Sequence, residues 1–191
     1  MKYLTIETYH NTPIVSTADL KTHLRITFTD DDSYIKMLER AAVRMVEEYT
    51  NRFLLPTECT QFGNCFSDLE ILFKSPCDGD IDPVVSYRKD GSWSVISHSD
   101  IEYVYDLQPA RCYAQPSFSP PGADDVFQAW KIFYTTGYKT IPVIPEALIQ
   151  AIKIIVGDLY ENRQSVIVGK MVSEIPKTST YLMNPYRVQT L

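Results

Sequence analysis

The sequence predicts an α+β protein in which a small helical bundle is interrupted by a β-rich insertion. Residues 30–53 carry apolar side chains at three- and four-residue steps, as the buried face of a helix does. Residues 145–163 are apolar around almost the whole helical circumference. The segment between them is rich in Val, Ile, Tyr, Phe and Trp, several of which alternate with polar residues as in strands. The predicted organisation is therefore a helical core formed by residues 1–55 and 139–191, ending in a C-terminal docking tail, around an insertion at residues 56–138.

The N-terminal part is predicted to contain an extended arm and two helices. Residues 1–15 mix apolar residues with Thr and Glu and indicate the arm. Ser16 or Thr17 is expected to cap the first helix, which begins in STADLKTHL. The long second helix, at residues 30–53, starts at consecutive aspartates that suit the positive end of the helix dipole. Its apolar face consists of Tyr34, Ile35, Leu38, Ala41, Ala42, Met45, Val46, Tyr49 and Phe53.

The apolar helix at residues 145–163 needs cover on more than one side. Pro145 and Glu146 favour a helix start, because proline lacks an amide that would be unpaired there and the carboxylate faces the positive dipole end. The long helix is expected to supply one cover, and a neighbouring copy of the chain is a candidate for the other. Burial entirely within one chain is the alternative. The candidate subunit-interface residues are Ile149, Ile152, Ile155 and Val156.

The β-rich insertion contains one sharp turn signal. Asp90-Gly91, between SYRK and SWSVI, suits a type I′ hairpin, in which both central residues adopt positive φ. Pro116, Pro120, Pro121 and Gly122 mark an exposed loop.

Charge is distributed unevenly along this chain of formal net charge −6. Residues 1–55 contain seven basic and eight acidic residues, residues 56–144 six and twelve, and residues 145–191 five and four. The middle segment therefore carries the entire net charge. It is not expected to grip a phosphate backbone, which requires clustered Lys and Arg. An acidic middle fits a solvated surface, or one past which DNA slides without binding.

Motifs for chemistry are missing from the sequence. It has no phosphate-binding glycine loop, no nucleophile elbow and no zinc-type spacing of Cys or His, so neither a metal nor another cofactor is predicted. Asp30, Asp31 and Asp32 are explained by a helix start and Asp124-Asp125 by a loop. The four cysteines Cys59, Cys65, Cys77 and Cys112 are expected to be reduced and mostly buried. His98 and Asp100 near Cys112 form only a weak candidate for a Cys/His pair.

The sequence predicts neither a secretory signal nor a membrane-spanning helix. The first residues, MKYLTIETYH, lack a basic stretch followed by an apolar run, which predicts no secretory signal and an intracellular product. The apolar helix falls short of the roughly 20 apolar residues of a membrane span.

Several blocks in order resemble the head-tail connector, or adaptor, proteins of tailed bacteriophages. They are ADLKTHLRITFTDDDSYI, AAVRMVEEYTNRFL, FYTTGY, IPEALIQAIKIIVGDLYENR and LMNPYR, and they span the chain ends and both long helices. The resemblance implies a structural virion protein rather than an enzyme. Proteins of this kind assemble, in the host cytoplasm, into a homo-oligomeric ring of about a dozen copies beneath the portal protein. The ring extends the DNA channel and offers a surface to the tail or to the next head-completion protein.

The resemblance also implies a role for the tail, residues 171–191, which would reach toward the portal. The residues carried over to this portal contact are Tyr181, Leu182, Met183, Pro185, Tyr186 and Arg187. A ring of this kind need not form before its subunits reach the portal, so an isolated monomer is compatible with the prediction. DNA would pass through without specific binding.

Three other functions are compatible with parts of the sequence. A different head or tail completion protein, such as a tail terminator, would more often be β-dominated, which the helical ends disfavour. A small hydrolase or nuclease would require an unrecognised site. A DNA-binding regulator is disfavoured by the pI near 5.0 and by the lack of a basic recognition helix.

Overall fold

The computed structural model describes residues 3–8, 12–74, 83–105, 107–163 and 177–189. Helices and antiparallel strands are both present, which confirms the predicted α+β class. The helices are α1 (Thr17–Leu24), α2 (Asp32–Thr50), α3 (Glu146–Glu161) and α4 (Lys177–Met183). The strands are β1 (Tyr3–Thr8), β2 (Thr57–Gly63), β3 (Val84–Lys89), β4 (Ser92–Val95), β5 (Ile101–Val104), β6 (Arg111–Ala114) and β7 (Trp130–Thr136).

The chain divides into two compact units. A helical unit comprises Asn11–Thr50 and Ile141–Arg187, and a strand unit comprises Met1–His10, Asn51–Thr140 and Val188–Leu191. These bounds differ from the predicted ones chiefly at the N-terminus. Residues 1–55 were expected in the helical core, whereas β1 pairs with β2 in the sheet. The difference arises because strand pairing depends on a distant partner, which a short extended arm does not identify.

In the helical unit, α2 contacts both α3 and α4, and α1 contacts α2 and α3. The Ser16 side chain accepts a hydrogen bond from the backbone amide of Asp19, so Ser16 is the N-cap of α1. The buried stripe of α2 includes Ile35, Ala42 and Val46, all fully buried. Both long helices therefore form where the apolar spacing predicts them, and they pack against each other as expected.

The strand unit is built on a five-stranded sheet in the order β1-β2-β7-β3-β4, with all neighbours antiparallel. β5 and β6 form a separate two-stranded sheet. At the centre, Thr57 pairs with Thr136, so the first and last strands of the insertion lie side by side. Burial alternates along β7, where Trp130, Ile132 and Tyr134 are buried and the residues between them are less so, as expected for one face against a core.

The predicted hairpin is present between β3 and β4. Asp90 and Gly91 adopt φ values of 50° and 78°, as the central residues of a type I′ turn require. The Asp124 carboxylate accepts hydrogen bonds from both of their backbone amides, each at 3.0 Å. Both bonds lower the pKa of Asp124 below its ordinary value, and the bond from Gly91 has the larger effect. A turn that the sequence specifies locally is thus held from a distant loop.

A buried amide organises the segment after β2. Gln61 is fully buried, and its Nε2 donates to the backbone carbonyls of Asp68 at 3.1 Å and Ile71 at 2.9 Å. Its Oε1 accepts from the backbone amide of Phe73 and from the Tyr134 hydroxyl, at 3.2 and 3.3 Å. One buried side chain therefore uses both of its polar atoms to connect β2, β7 and the segment after β2.

Candidate functional site

The C-terminal segment of the helical unit is anchored by one of its sides. Met183 of α4 is fully buried, and α4 contacts α2 and α3. The hydroxyl of Tyr49 donates to Asn184 Oδ1 at 2.5 Å, in the short 3₁₀ turn Asn184–Tyr186 that follows α4. The guanidinium of Arg187 lies 5.3 Å from the centroid of the Tyr49 ring, a cation–π distance. The segment therefore has fixed contacts with α2 before any partner binds.

The other side of the same segment faces outward. Tyr181 is 74% exposed, the largest exposed fraction of the large apolar residues in the described part of the chain. Pro185 is exposed and Leu182 is half-buried. The predicted portal-contact residues thus separate into two groups. Met183 and Arg187 make contacts within the chain, whereas Tyr181, Leu182 and Pro185 remain accessible; Tyr186 is half-buried. The predicted tail begins at residue 171, and residues 171–176 lie outside the described residues.

The candidate interface residues of α3 are also divided. Ile152, Ile155 and Val156 are at most 1% exposed, while Ile149 is half-buried. α1, α2 and α4 all contact α3, so the chain itself supplies much of the cover for which a neighbouring copy was one candidate and burial within one chain the alternative. The sequence did not show this because α4 is too short to display a helical stripe.

A polar cluster that the sequence did not predict joins the end of α3 to the start of α2. Tyr160 and Arg163 both donate hydrogen bonds to Asp31 Oδ2, at 2.5 and 2.6 Å. The Arg163 guanidinium also lies 4.8 Å from the Tyr34 ring centroid and 4.7 Å from that of Tyr160. Both hydrogen bonds lower the pKa of the Asp31 carboxyl, and the bond from Tyr160 has the larger effect. The aspartates before α2 therefore have a tertiary role beyond starting the helix.

A groove lies along the N-terminal half of α2. It has a volume of about 310 Å³ and is lined by Pro13, Val15, Thr17, Ser33, Lys36, Glu39 and Arg40. Glu39 is only 3% exposed, and its carboxylate accepts the backbone amides of Ile14 and Val15 at 2.9 and 3.4 Å. Burial raises the pKa of Glu39 against these two hydrogen bonds. The buried carboxylate thus holds the chain before α1 onto α2 and shapes the groove.

The His98 ring and the Cys112 thiol, considered as a Cys/His pair, each have another partner. His98 stacks on Tyr103 with ring centroids 5.2 Å apart, and the Cys112 thiol is directed to the carbonyl oxygen of Leu69 at 3.1 Å. Burial raises the pKa of both Cys59 and Cys112 to about 12, which keeps these thiols protonated. Of the cysteines described, Cys59 and Cys112 are buried and Cys65 is exposed, whereas Cys77 lies outside the described residues.

Metal-ligand clusters and membrane-spanning helices are both absent from the described residues. None of their His, Cys, Asp and Glu side chains gather in a group of three or more suited to a metal ion. No helix among them combines the length and apolar character needed to cross a bilayer.

One known family matches part of the N-terminal half of the chain. Residues 15–70 match the family described as "Phage gp6-like head-tail connector protein". This stretch contains α1, α2 and β2 and covers less than half of the chain. The match confirms the predicted resemblance to head-tail connector proteins where the first two sequence blocks lie. No curated protein matches the chain significantly.

Solved structures contain chains that are similar over nearly the full length. A chain in the neck of an empty gene transfer agent (GTA) particle, computed with C6 symmetry, is 18% identical with a TM-score of 0.79, covering 99% of this chain and 97% of that one. A chain in the virion of the native particle is 18% identical with a TM-score of 0.78, covering 98% of this chain and 96% of that one. A chain in the neck of the native particle, computed with C12 symmetry, is 18% identical with a TM-score of 0.74, covering 99% of this chain and 97% of that one. These similarities establish the fold. The matching chains come from the necks and the virion of gene transfer agent particles.

Proposed function

We propose that this chain is a structural virion protein of a head-tail connector. Copies form a ring that joins the portal to the tail or to the next completion protein, and the ring extends the DNA channel. The similarity of nearly the whole chain to chains of particle necks carries this proposal, and the family match at residues 15–70 agrees with it. The helical unit serves as the small bundle of the ring subunit, and residues 56–138 form the insertion that it carries.

The ring is proposed to contain about a dozen copies, in which closed cyclic symmetry would repeat one head-to-tail contact. A neck computed with C12 symmetry among the similar structures supports this number. The ring would assemble in the host cytoplasm and remain at the head-tail interface of the virion. Its acidic segment, residues 56–144, would let DNA pass with little binding.

The portal contact is proposed to lie on the exposed side of the C-terminal segment. Tyr181, Leu182 and Pro185 offer accessible apolar surface, while buried Met183 and the stacked Arg187 fix the segment in place. A large exposed aromatic side chain is a common anchor at protein interfaces. Tyr186, half-buried, would lie at the rim of this contact.

The subunit contact is proposed to include the accessible side of α3. Ile149 is the one of the four candidate residues that a neighbouring copy can reach directly. Ile152, Ile155 and Val156 would support it from beneath, since their side chains fill the interior of the helical unit.

Electron microscopy of the purified chain mixed with its cognate portal tests the proposed function. We expect closed rings of the chain on one face of the portal, with a central channel in line with the portal channel. Portal particles that carry no added density at saturating concentrations of the chain would contradict the proposal.

A further inference from the structure

The groove on α2 presents positive charge in an otherwise acidic protein. Lys36 and Arg40 line it, both side chains are exposed, and neither forms a salt bridge within the described part of the chain. Arg44 follows one turn further along the same helix face, outside the groove lining, and pairs with Glu47 at 3.6 Å. The Glu39 carboxylate in the wall is occupied by two backbone amides, so the accessible charges of the groove are cationic. Pro13 and Val15 add an apolar part.

The loop at residues 124–127 of the strand unit has the opposite character. Val126 and Phe127 are 44% and 60% exposed, and Asp125 beside them is exposed without an ion pair among the described residues. Exposure of these two apolar side chains to water is unfavourable, and a partner that covers them would remove this cost.

This loop is held in shape from both sides. The Asp124 carboxylate accepts the hairpin amides of Asp90 and Gly91, and the backbone amide of Val126 donates to the Asp124 carbonyl at 2.8 Å. Beyond Phe127, the backbone amide of Gln128 donates to Asn64 Oδ1 at 3.1 Å. The apolar tip is therefore presented by a fixed backbone, which lowers the entropy cost of binding.

We propose that the acidic loop of one copy, residues 124–127, docks into the basic groove of the next copy in the ring. Phe127 and Val126 would cover the exposed Pro13, and the Asp125 carboxylate would face Lys36 and Arg40. The inference rests on the proposed function, because a ring subunit requires two different surfaces that complement each other. The occupant is a second copy of this chain because the exposed Asp125 carboxylate of its loop complements the Lys36 and Arg40 cations of the groove.

Site-specific cross-linking of portal-bound rings tests the contact. In a background with Cys65 and Cys77 replaced by serine, the variant carrying both Phe127→Cys and Lys36→Cys should give, on mild oxidation, a ladder of disulfide-linked oligomers beyond the dimer. Buried Cys59 and Cys112 should not react, since their pKa is raised to about 12. The matched control pairs Lys36→Cys with Phe28→Cys, because Phe28 is also an exposed aromatic residue, at 50%. Equal ladders from both pairs, or no ladder from rings that microscopy shows to be closed, would overturn the inference.

A charge exchange provides a second test with its own internal rescue. The variant Lys36→Glu/Arg40→Glu and the variant Asp125→Lys should each lower ring occupancy on the portal by about tenfold, as opposed charges at an interface become like charges. A mixture of the two variants should restore occupancy, because every contact in an alternating ring again joins opposite charges. Failure of the mixture to recover would count against the contact.

DNA is the competing occupant of a basic groove. If Lys36→Glu/Arg40→Glu abolished salt-dependent binding of the chain to duplex DNA and left ring occupancy unchanged, the groove would be a phosphate site and the inference would fail. Rings that form on the portal without the expected cross-link leave the proposed function standing, whereas a chain that never binds the portal contradicts that function first.

Discussion

At the scale of single residues, Asp31 concentrates several interactions of the helical unit. Its carboxylate accepts hydrogen bonds from Tyr160 and Arg163, and Arg163 in turn lies over the Tyr34 ring. Charge-assisted hydrogen bonds of this kind favour the ionised carboxylate, which is why the pKa of Asp31 is lowered.

Replacing Asp31→Asn should therefore destabilise the fold in a pH-dependent manner. A carboxyl whose pKa is lower in the folded than in the unfolded state adds stability above its unfolded pKa. That contribution is lost as pH falls through the folded pKa. We expect the loss of unfolding free energy in the variant to be full at pH 7, to shrink once pH falls below the ordinary carboxyl pKa of 3.8, and to vanish below the lowered pKa of the folded protein. Urea denaturation between pH 7 and pH 2 measures this.

The neighbouring variant Asp30→Asn is the control, because Asp30 also precedes α2 but has an exposed side chain. A deficit for Asp31→Asn that stays constant down to pH 2 would show that the charge of Asp31 is not what stabilises the fold.

Two isoleucines of α3 should differ sharply on substitution by aspartate. Ile155 is 1% exposed, so Ile155→Asp places an unpaired charge in the interior and should cost about 4 kcal/mol or more of unfolding free energy. Ile149 is half-buried, and Ile149→Asp should leave a folded monomer while weakening assembly on the portal. Circular dichroism with thermal denaturation reports the first effect and microscopy of portal complexes the second. Normal rings from Ile149→Asp would remove α3 from the subunit contact.

At the scale of elements, the end of β7 explains the block FYTTGY. Gly137 has φ of +111°, and a Cβ placed on it would lie 2.1 Å from the carbonyl oxygen of Leu55. Only glycine accommodates both the backbone conformation and the close approach of the chain that leads into β2.

Gly137→Ala should accordingly destabilise the strand unit by about 3 kcal/mol or more, from positive-φ strain combined with a backbone clash. Gly122→Ala is the matched control, because nothing lies within 4 Å of a Cβ there and no positive φ is required. It should be neutral or slightly stabilising by about 0.5 kcal/mol. Chemical denaturation of both variants gives the comparison. An equal midpoint for the two would mean that the chain at Gly137 can shift without cost.

At the scale of the whole molecule, one exposed side chain should separate folding from assembly. Tyr181→Ser removes an aromatic ring that is 74% exposed, so it should leave thermal stability unchanged and weaken binding to the cognate portal by tenfold or more, about 1.4 kcal/mol. Surface plasmon resonance on immobilised portal measures the affinity. Phe28→Ser, which removes another exposed aromatic ring, should retain wild-type binding. Equal losses in the two variants would exclude a specific contact by Tyr181.

Local patterns in the sequence predicted the parts of the fold that short-range physics determines. The apolar spacing of α2 and α3 and the Asp90-Gly91 turn each depend on neighbours within a few residues, and the structure confirms them. The pairing of β1 with β2 and the attachment of Arg163 to Asp31 join distant residues, and periodicity carries no information about such partners. The same holds for the candidate site, where exposure of Tyr181 and burial of Met183 emerge only after α4 packs.

The pairing of Thr57 with Thr136 has a consequence for how the polypeptide acquires its shape during translation. α2 leaves the ribosome long before α3, and in an unfolded nascent chain these two helices would be joined by a long loop whose closure costs entropy. The strands between the two helices emerge before α3, and their pairing brings Thr57 and Thr136 together. The helices then search for each other across short connectors. Early folding of the inserted strands thus accelerates a late, long-range encounter.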